Sequence, residues 1–134
     1  MVREAASSDI DRIRALMNSI PGFWDDTWPP DVLERALGCS DTIALVHEDR
    51  GVIDGFVSSH DVGFRAYLSE LAVSPKSQRR GIGSRLLAEV ESRLADRRCP
   101  LIIADVWKDA EGFYRARGWT PPPVTLLRKR LAPR

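Results

Sequence analysis

A polar segment near the middle of the chain carries the residues whose types and spacing point most clearly to a chemical role. It has the sequence Gln78-Arg79-Arg80-Gly81-Ile82-Gly83-Ser84. Glycine has no Cβ, so Gly81 and Gly83 let the backbone adopt unusual conformations and let a ligand approach closely. The free amides at the start of a helix attract anions, and the two arginines add positive charge. The segment therefore predicts a phosphate-binding loop.

Two common phosphate-binding motifs do not match this segment. A dinucleotide-binding fingerprint needs a third glycine at position 86, where this chain has Leu86. A P-loop needs Gly-Lys-Ser or Gly-Lys-Thr at the start of the helix, and neither is present. For Gly-x-Gly alone, a glycine-rich turn without a ligand is the simpler interpretation. The position of the loop directly after Glu70-Leu71-Ala72-Val73, a predicted strand end, favours a ligand.

The pattern of apolar residues predicts the elements that hold this loop. Ile82, Leu86, Leu87, Val90 and Leu94 have helical spacing and predict a helix over residues 82–96. Further helices are expected at residues 8–20, 31–37 and 109–117, and strands at residues 42–47, 52–60, 64–73, 101–106 and 124–131. This order predicts a mixed α/β (α+β) fold in which a central helix connects two strands.

Length and composition restrict the class of protein. The 134 residues predict a single domain over residues 1–134, and 43% hydrophobic with 29% charged residues is typical of a globular protein. No apolar run exceeds four residues, so no membrane segment is expected, and no secretory signal is recognised. Cys39 and Cys99 are too few for a disulfide framework or a four-ligand zinc site. We expect a cytoplasmic protein without a metal.

Charge divides unevenly along the chain. Residues 1–75 contain six Lys and Arg against thirteen Asp and Glu, which gives −7. Residues 76–134 contain fourteen against six, which gives +8. Two interpretations of this asymmetry stay open. The charges are solvated surface residues without a functional pattern, or the second half binds a polyanion and the first half binds a cation.

These motifs resemble the GNAT superfamily of N-acetyltransferases. The segment from Gln78 to Gly83 is similar to the pyrophosphate-binding signature of that family, and Ala110-Glu111-Gly112-Phe113-Tyr114-Arg115-Ala116-Arg117-Gly118-Trp119 is similar to a second family segment. The resemblance also covers the region from Arg3 to the first helix and the hairpin at Asp49-Arg50-Gly51. It implies a mostly antiparallel central sheet with about four flanking helices. In that sheet the strand ending at 71–73 splays from the strand at 101–106.

The resemblance also implies acetyl-CoA as cofactor. Its pantetheine arm would enter the gap between the splayed strands, and its pyrophosphate would bind the loop. The residues implied as cofactor-binding are Leu71, Ala72, Val73, Gln78, Arg79, Arg80, Gly81, Ile82, Gly83, Ser84, Ala110 and Phe113. Trp107 lies where the family often has an asparagine, which puts one contact to the pantetheine arm in question.

The family reaction is a direct attack of an acceptor amine on the thioester, and it needs proton carriers. Tyr114 matches the position of the acid that protonates the leaving thiolate; alternatively, it is a packing aromatic with a bonded hydroxyl. Strand alternation places Leu68, Glu70 and Ala72 on one face. A carboxylate in the buried middle of a strand costs free energy unless it is paired or functional. Glu70 is therefore either a base or substrate-orienting group, or else a structural carboxylate paired with an arginine. His60 is either a base or an exposed residue at a strand end, and His47 is expected at the surface.

An aromatic and acidic loop near residue 25 is the candidate acceptor site. Phe23, Trp24, Asp26 and Trp28 could hold a cation through ring faces and a carboxylate. Alternatively, the aromatic side chains belong to the core and the aspartates cap a turn.

The predicted function is transfer of an acetyl group from acetyl-CoA to a primary amine: a small cationic amine, a peptide N-terminus or a lysine. A non-catalytic acyl-CoA-binding regulatory or partner module is the alternative. Nucleic-acid binding is disfavoured because the basic residues lack interleaved aromatics and the pI is only 7.8. Either a monomer or a homodimer fits the sequence.

Overall fold

Five strands form a single sheet in which each strand pairs with the next one along the chain. The structure, a computed structural model, describes residues 1–132. The strands are β1 (Val2–Glu4), β2 (Thr42–Asp49), β3 (Val52–Asp61), β4 (Ala66–Val73) and β5 (Ile102–Ile103). The helices are α1 (Ile10–Ser19), α2 (Val32–Leu37), α3 (Ile82–Asp96) and α4 (Glu111–Arg115). All pairs are antiparallel except β4 with β5, which confirms the predicted α+β class.

The chain divides into two compact units. The first spans Met1–Ala104 and contains the whole sheet with α1, α2 and α3. The second begins at Asp105 and contains α4, followed by a segment without helix or strand up to residue 132.

Helices cover both faces of the sheet in the first unit. Phe56 of β3 packs in a core cluster with Ile13 and Met17 of α1 and Leu33 of α2. The adjacent residue, Gly55, points the other way, toward α3. Neighbouring residues of a strand face opposite sides of a sheet. The first two helices therefore lie on one face and α3 on the other.

Gly55 lets α3 approach β3 closely. A Cβ at this position would lie 2.7 Å from Cγ2 of Ile82 and 2.9 Å from Cδ1 of Leu86, distances too short for carbon atoms in contact. Ile82 is the first residue of α3, directly after the predicted phosphate-binding loop. The missing side chain of Gly55 therefore fixes where that helix begins relative to the sheet.

A β-bulge in β4 changes the faces that its residues occupy. Ser58 lies opposite Glu70, whereas the next residue, Ser59, lies opposite Leu68, so Ser69 is an extra residue. Leu68 consequently shares the α3 face with Ser59, and Glu70 shares the α1–α2 face with Ser58. The expectation that Leu68, Glu70 and Ala72 share a face is therefore wrong for Leu68, because simple alternation does not hold across a bulge.

The pairing between β4 and β5 is short. It consists of Ala66 opposite Ile102 and Tyr67 opposite Ile103. Beyond Tyr67, no strand of the described chain pairs with this edge of β4. The two parallel strands therefore separate before residues 71–73, as the predicted splay requires.

An ion-pair network fixes the start of α1. Arg3 donates two hydrogen bonds to the carboxylate of Asp9, at 2.8 and 3.0 Å, and Arg12 donates another at 2.7 Å. The amide of Ala6 also donates to it at 2.7 Å. Asp9 is only 1% exposed, and the bonds from Arg3 are the main reason why the pKa of its carboxyl lies far below the ordinary value.

Three predicted elements differ from the structure, and one observed strand was not predicted. The final strand expected at 124–131 is absent, and its apolar residues are exposed. The strand expected at 101–106 contains only Ile102–Ile103, and the helix expected at 109–117 contains a 3₁₀ turn and Glu111–Arg115. A strand at Val2–Glu4 was not expected.

Candidate active site

The predicted phosphate-binding loop connects β4 to α3 through a single 3₁₀ turn, Pro75–Ser77. Gln78, Arg79 and Arg80 are exposed. Arg79 and Gly81 have positive φ angles of 69° and 76°, on either side of Arg80. Left-handed residues in such a turn direct successive amides into one concavity, which is a common anion-binding geometry.

Helix α3 begins directly after this concavity. Arg85 is the first residue whose amide closes a helical turn, donating to the carbonyl of Gly81 at 3.1 Å. The amides at the first positions of a helix have no carbonyl partner within it, and they lie at its positive end. The helix has 15 residues, and no acidic residue lies in its first turn. The backbone conformation, the helix start and two arginines together fit a diphosphate.

The last residues of β4 lead into the loop. Leu71 and Val73 are half-buried and Ala72 is buried. Toward β3, Leu71 lies opposite Val57, Ala72 opposite Phe56 and Val73 opposite Gly55. Their other edge has no strand partner among the described residues. A pantetheine arm with amide groups could pair with such an edge.

An apolar cavity of about 220 Å³ opens on the α1–α2 face of the first unit. Its lining combines residues of α1, α2, the preceding loop, β3 and β4: Met17, Trp28, Val32, Leu33, Ala36, Phe56, Ser58, His60, Ser69 and Glu70. Because of the bulge, Ser69 and Glu70 both line it. Glu70 and His60 are the titratable side chains of this lining, so an apolar pocket contains a carboxylate and an imidazole.

His60 is held by hydroxyl groups on both sides. Its Nδ1 lies 2.9 Å from Oγ1 of Thr42, and its Nε2 lies 3.0 Å from Oγ of Ser69 and 3.4 Å from Oγ of Ser58. Burial lowers the pKa of the His60 imidazole below its ordinary value, because desolvation disfavours the charged ring. Burial therefore favours the neutral ring.

The aromatic loop only partly reaches this cavity. Trp28 lines it and makes an edge contact with Trp24, with ring centroids 5.2 Å apart. Trp24 and Phe23 pack against the core cluster of α1 and α2. Asp26 is exposed. Among the four predicted acceptor residues, the structure thus brings Trp28 together with Glu70.

Tyr114 lies in the second unit, on α4. Its side chain is buried, and its ring makes edge contacts with Phe113 and Trp119, both with centroids 5.2 Å apart. Ala110 is the residue before α4, and Phe113 lies within the helix. Trp107 is 55% exposed.

His47 was expected at the surface, but it is buried. Its Nδ1 lies 2.6 Å from Oδ1 of Asp54. A second bulge makes Asp54 an extra residue in β3, since Gly55 lies opposite His47 and Ile53 lies opposite Glu48. The bulge turns the carboxylate toward the imidazole, and simple strand alternation could not reveal it.

Sequence reasoning also missed Thr42 and Ser69 as partners of His60. Ser58 and His60, at alternate positions of one strand, were a signal that one face of it contains a hydrogen-bonded site. Within residues 1–132, no group of three His, Cys, Asp or Glu side chains could hold a metal ion. None of the helices in that range is long and apolar enough to cross a membrane.

Comparison with known proteins gives consistent results. Residues 10–119 match the model of the acetyltransferase (GNAT) family. An acetyltransferase of Yersinia pestis (strain Pestoides F) is 31% identical over 111 residues, which cover 81% of this chain and 77% of the relative.

Solved structures share the fold. A transcriptional regulator from Bacillus halodurans C-125 superimposes with a TM-score of 0.82 at 18% identity, covering 98% of this chain and 99% of that one. The aminoglycoside N-acetyltransferase AAC(6')-Iy in complex with CoA gives 0.77 at 18% identity, covering 98% and 100%. The same enzyme with the bisubstrate analogue CoA-S-monomethyl-acetylneamine gives 0.76 at 20% identity, covering 98% of both chains. From the family match and the shared fold together, the chain belongs to the GNAT family of acetyltransferases and is an acyltransferase enzyme.

Proposed function

We propose that the protein transfers the acetyl group of acetyl-CoA to a primary amine of a small cationic molecule, a peptide N-terminus or a lysine. The observation that carries this proposal is the placement of Glu70. This carboxylate lines an apolar cavity and lies on β4, the strand that leads directly into the phosphate-binding loop. A cation and a phosphorylated donor would thus bind along one strand.

The donor is assigned to the loop and the open edge of β4. Amides and guanidinium groups from Gln78 to Ser84 would hold the diphosphate, and the backbone of Leu71, Ala72 and Val73 would pair with the pantetheine arm. Ala110 and Phe113 stay predicted donor contacts from the second unit. When bound, acetyl-CoA supplies an acetyl thioester. The CoA complex of an enzyme with this fold supports the assignment.

The acceptor is assigned to the cavity beside Glu70. Its carboxylate would orient an ammonium group, and the ring of Trp28 offers a face for the cation or its carbon chain. Phe23, Trp24 and Asp26 would shape the entrance. The structural neighbour with a CoA–neamine conjugate is consistent with an acceptor rich in primary amines.

The transfer forms a bond between the amine nitrogen and the carbonyl carbon and breaks the bond from that carbon to sulfur. The ammonium loses two protons; one is accepted within the protein and the other ends on the CoA sulfur. A backbone amide near Leu71–Val73 would stabilise the oxyanion. Tyr114 would donate a proton to sulfur and regain one from the second proton that the amine nitrogen releases.

Thiol release from acetyl-CoA tests the proposal. The panel consists of neamine, a peptide with a free N-terminus, and an N-terminally acetylated peptide with one lysine. We expect turnover with at least one amine. In Glu70→Gln we expect kcat/KM for that amine to fall at least tenfold with unchanged CoA affinity, since a charged hydrogen bond contributes about 1.5–3 kcal/mol. CoA binding without turnover of any amine would instead support a non-catalytic acyl-CoA-binding module.

A further inference from the structure

The polar groups around His60 make more hydrogen-bonding contacts than they have protons to donate. Thr42 donates its hydroxyl proton to the carbonyl of Ala36 at 3.0 Å, and Ser69 donates its own to the carbonyl of Ser58 at 3.1 Å. A carbonyl can only accept, and each hydroxyl has one proton. Both hydroxyls are therefore left as acceptors toward the imidazole, and both ring nitrogens would have to donate.

The charged imidazole satisfies this arrangement and the neutral one does not. Four contacts connect Ala36, Thr42, His60, Ser69 and Ser58. A neutral ring and two hydroxyls supply three protons, whereas an imidazolium supplies the fourth. Oγ of Ser58 lies 3.4 Å from the same Nε2, and its hydroxyl can donate only to a neutral ring. The 3.0 Å contact of Ser69 with Nε2 then still lacks a proton, so the neutral ring remains one proton short.

Burial acts in the opposite direction. Desolvation lowers the pKa of His60 and so favours the neutral ring before substrate binds. The cluster thus lacks one proton, and one more would complete all its hydrogen bonds. While the ring is neutral, either one hydroxyl turns away from its carbonyl or the contact between Ser69 and Nε2 has no proton. An added proton on Nε2 would complete that contact.

We propose that His60, whose Nε2 contacts the hydroxyl of Ser69 at the wall of the cavity, accepts the proton that the acceptor ammonium releases before attack. This assignment rests on the proposed function. The nitrogen–hydrogen bond of the ammonium breaks, its electron pair stays on the amine, and the proton reaches Nε2 either directly or through exchange at the Ser69 hydroxyl. The product is a neutral amine and an imidazolium. The ring then releases its proton to solvent.

Charged groups near His60 are few, and they differ in effect. Glu70 lines the same cavity and would favour the imidazolium when ionised. Tyr67 is the residue of β4 opposite His60, and Thr42, opposite it on β2, carries no charge. Asp61 lies on the other face, 3.8 Å from Arg97. The cavity residues from α1, α2 and the loop before α2 are all uncharged.

NMR titration of the two histidines tests the proton shortage without any substrate. His60→Gln identifies the His60 signals by their loss. Ser69→Ala and Thr42→Val should each lower the His60 pKa by about one unit, because each removes an acceptor of the imidazolium and with it the shortage. A higher pKa in either variant would show that the hydroxyls donate to a neutral ring, and it would overturn the proposal.

Ser59→Ala is the matched control. Ser59 precedes His60 on the opposite face, and its buried hydroxyl has no hydrogen-bond partner among residues 1–132. Its removal should leave the His60 pKa unchanged. A shift equal to that in Ser69→Ala would attribute the effect to general loosening of the sheet and would contradict the proposal.

The pH dependence of kcat/KM, with the most reactive amine of the panel, tests the catalytic role. In His60→Gln we expect a loss of about 100-fold at pH 7 that shrinks about tenfold per pH unit as free amine accumulates, provided that the melting temperature shows a folded protein. In Ser69→Ala the acid limb of the profile, where kcat/KM falls as the pH decreases, should shift by the same amount as the His60 pKa measured by NMR. An acid limb that moves in Glu70→Gln but not in His60→Gln would assign the proton to Glu70. Absence of turnover with every amine would refute the proposed function and this role together, whereas the titration would still decide the proton shortage.

Discussion

Glu70 lies opposite Ser58 across β3 and β4, although Leu68 lies opposite Ser59. The extra residue between them, Ser69, turns Glu70 toward the α1–α2 face and places its own side chain in the same cavity. A strand without this bulge would direct Glu70 to the α3 face, away from Trp28 and His60. One inserted residue therefore brings a carboxylate, a hydroxyl and an imidazole together on the strand that continues into the phosphate-binding loop.

Gly81→Val should weaken CoA binding at least tenfold in calorimetry. A β-branched residue at a φ of 76° is strained by roughly 1–2 kcal/mol, and relief of that strain would turn the amides of the concavity away from the ligand. Gly51→Val is the matched control, because Gly51 has a φ of 79° and equally open surroundings but lies in the β2–β3 turn. Both variants should lose similar stability. Equal loss of CoA affinity in both would contradict the prediction.

Tyr114→Phe should lower kcat about 100-fold and leave the Kd of CoA within twofold. The edge contacts of the ring with Phe113 and Trp119 need no hydroxyl, so packing of the second unit should persist. Single-turnover and steady-state thiol release measure kcat, and calorimetry measures CoA binding. An unchanged kcat, or a kcat that falls only together with the melting temperature, would leave Tyr114 a packing residue.

Gly55→Ala should destabilise the protein by about 1–3 kcal/mol, because its Cβ would overlap Ile82 and Leu86. Urea unfolding of this variant, of Ile82→Ala, and of the double variant gives a double-mutant cycle. We expect the double variant to be more stable than the sum of the single effects predicts, since removing the Ile82 branches makes space for the new methyl group. Strict additivity would show that α3 does not contact β3 at this point.

Asp9→Asn should lower stability at pH 7 by about 2–3 kcal/mol, since it leaves Arg3 and Arg12 without their buried partner. The folded pKa of Asp9 lies below the unfolded value of about 3.9, so its contribution is complete above that pH and is lost as the pH falls toward the folded pKa. The variant should therefore show a weaker loss of melting temperature between pH 5 and pH 2. Asp11→Asn, at a 98% exposed side chain, should behave like wild type.

The sequence predicted the elements that strong local patterns encode. The apolar stripe of the third helix, with a glycine before its first turn, predicted residues 82–96, and the structure has Ile82–Asp96. The hairpin of β2 and β3 followed from two apolar runs around a turn containing Gly51. The positive φ of Gly81 follows from its residue type, whereas nothing about Arg79 indicated the same conformation.

The remaining features depend on partners that are distant in sequence. Residues 124–131 have strand-like composition, but a strand also needs a paired edge, which a local pattern does not provide. The three residues of β1 are too few for a recognisable alternation, although they pair fully with Leu45, Val46 and His47. The bulges at Ser69 and Asp54 are register changes, so the surroundings of Glu70, His60 and His47 could not be derived from alternation.

The short contact between β4 and β5 has a consequence for handling the protein. Residues 68–73 present a strand edge with no strand partner in residues 1–132, and such edges also template pairing between molecules. A donor that occupies this edge would act as a surrogate strand. Saturating CoA should therefore delay aggregation on heating, beyond the stabilisation by mass action that any ligand of the folded state confers.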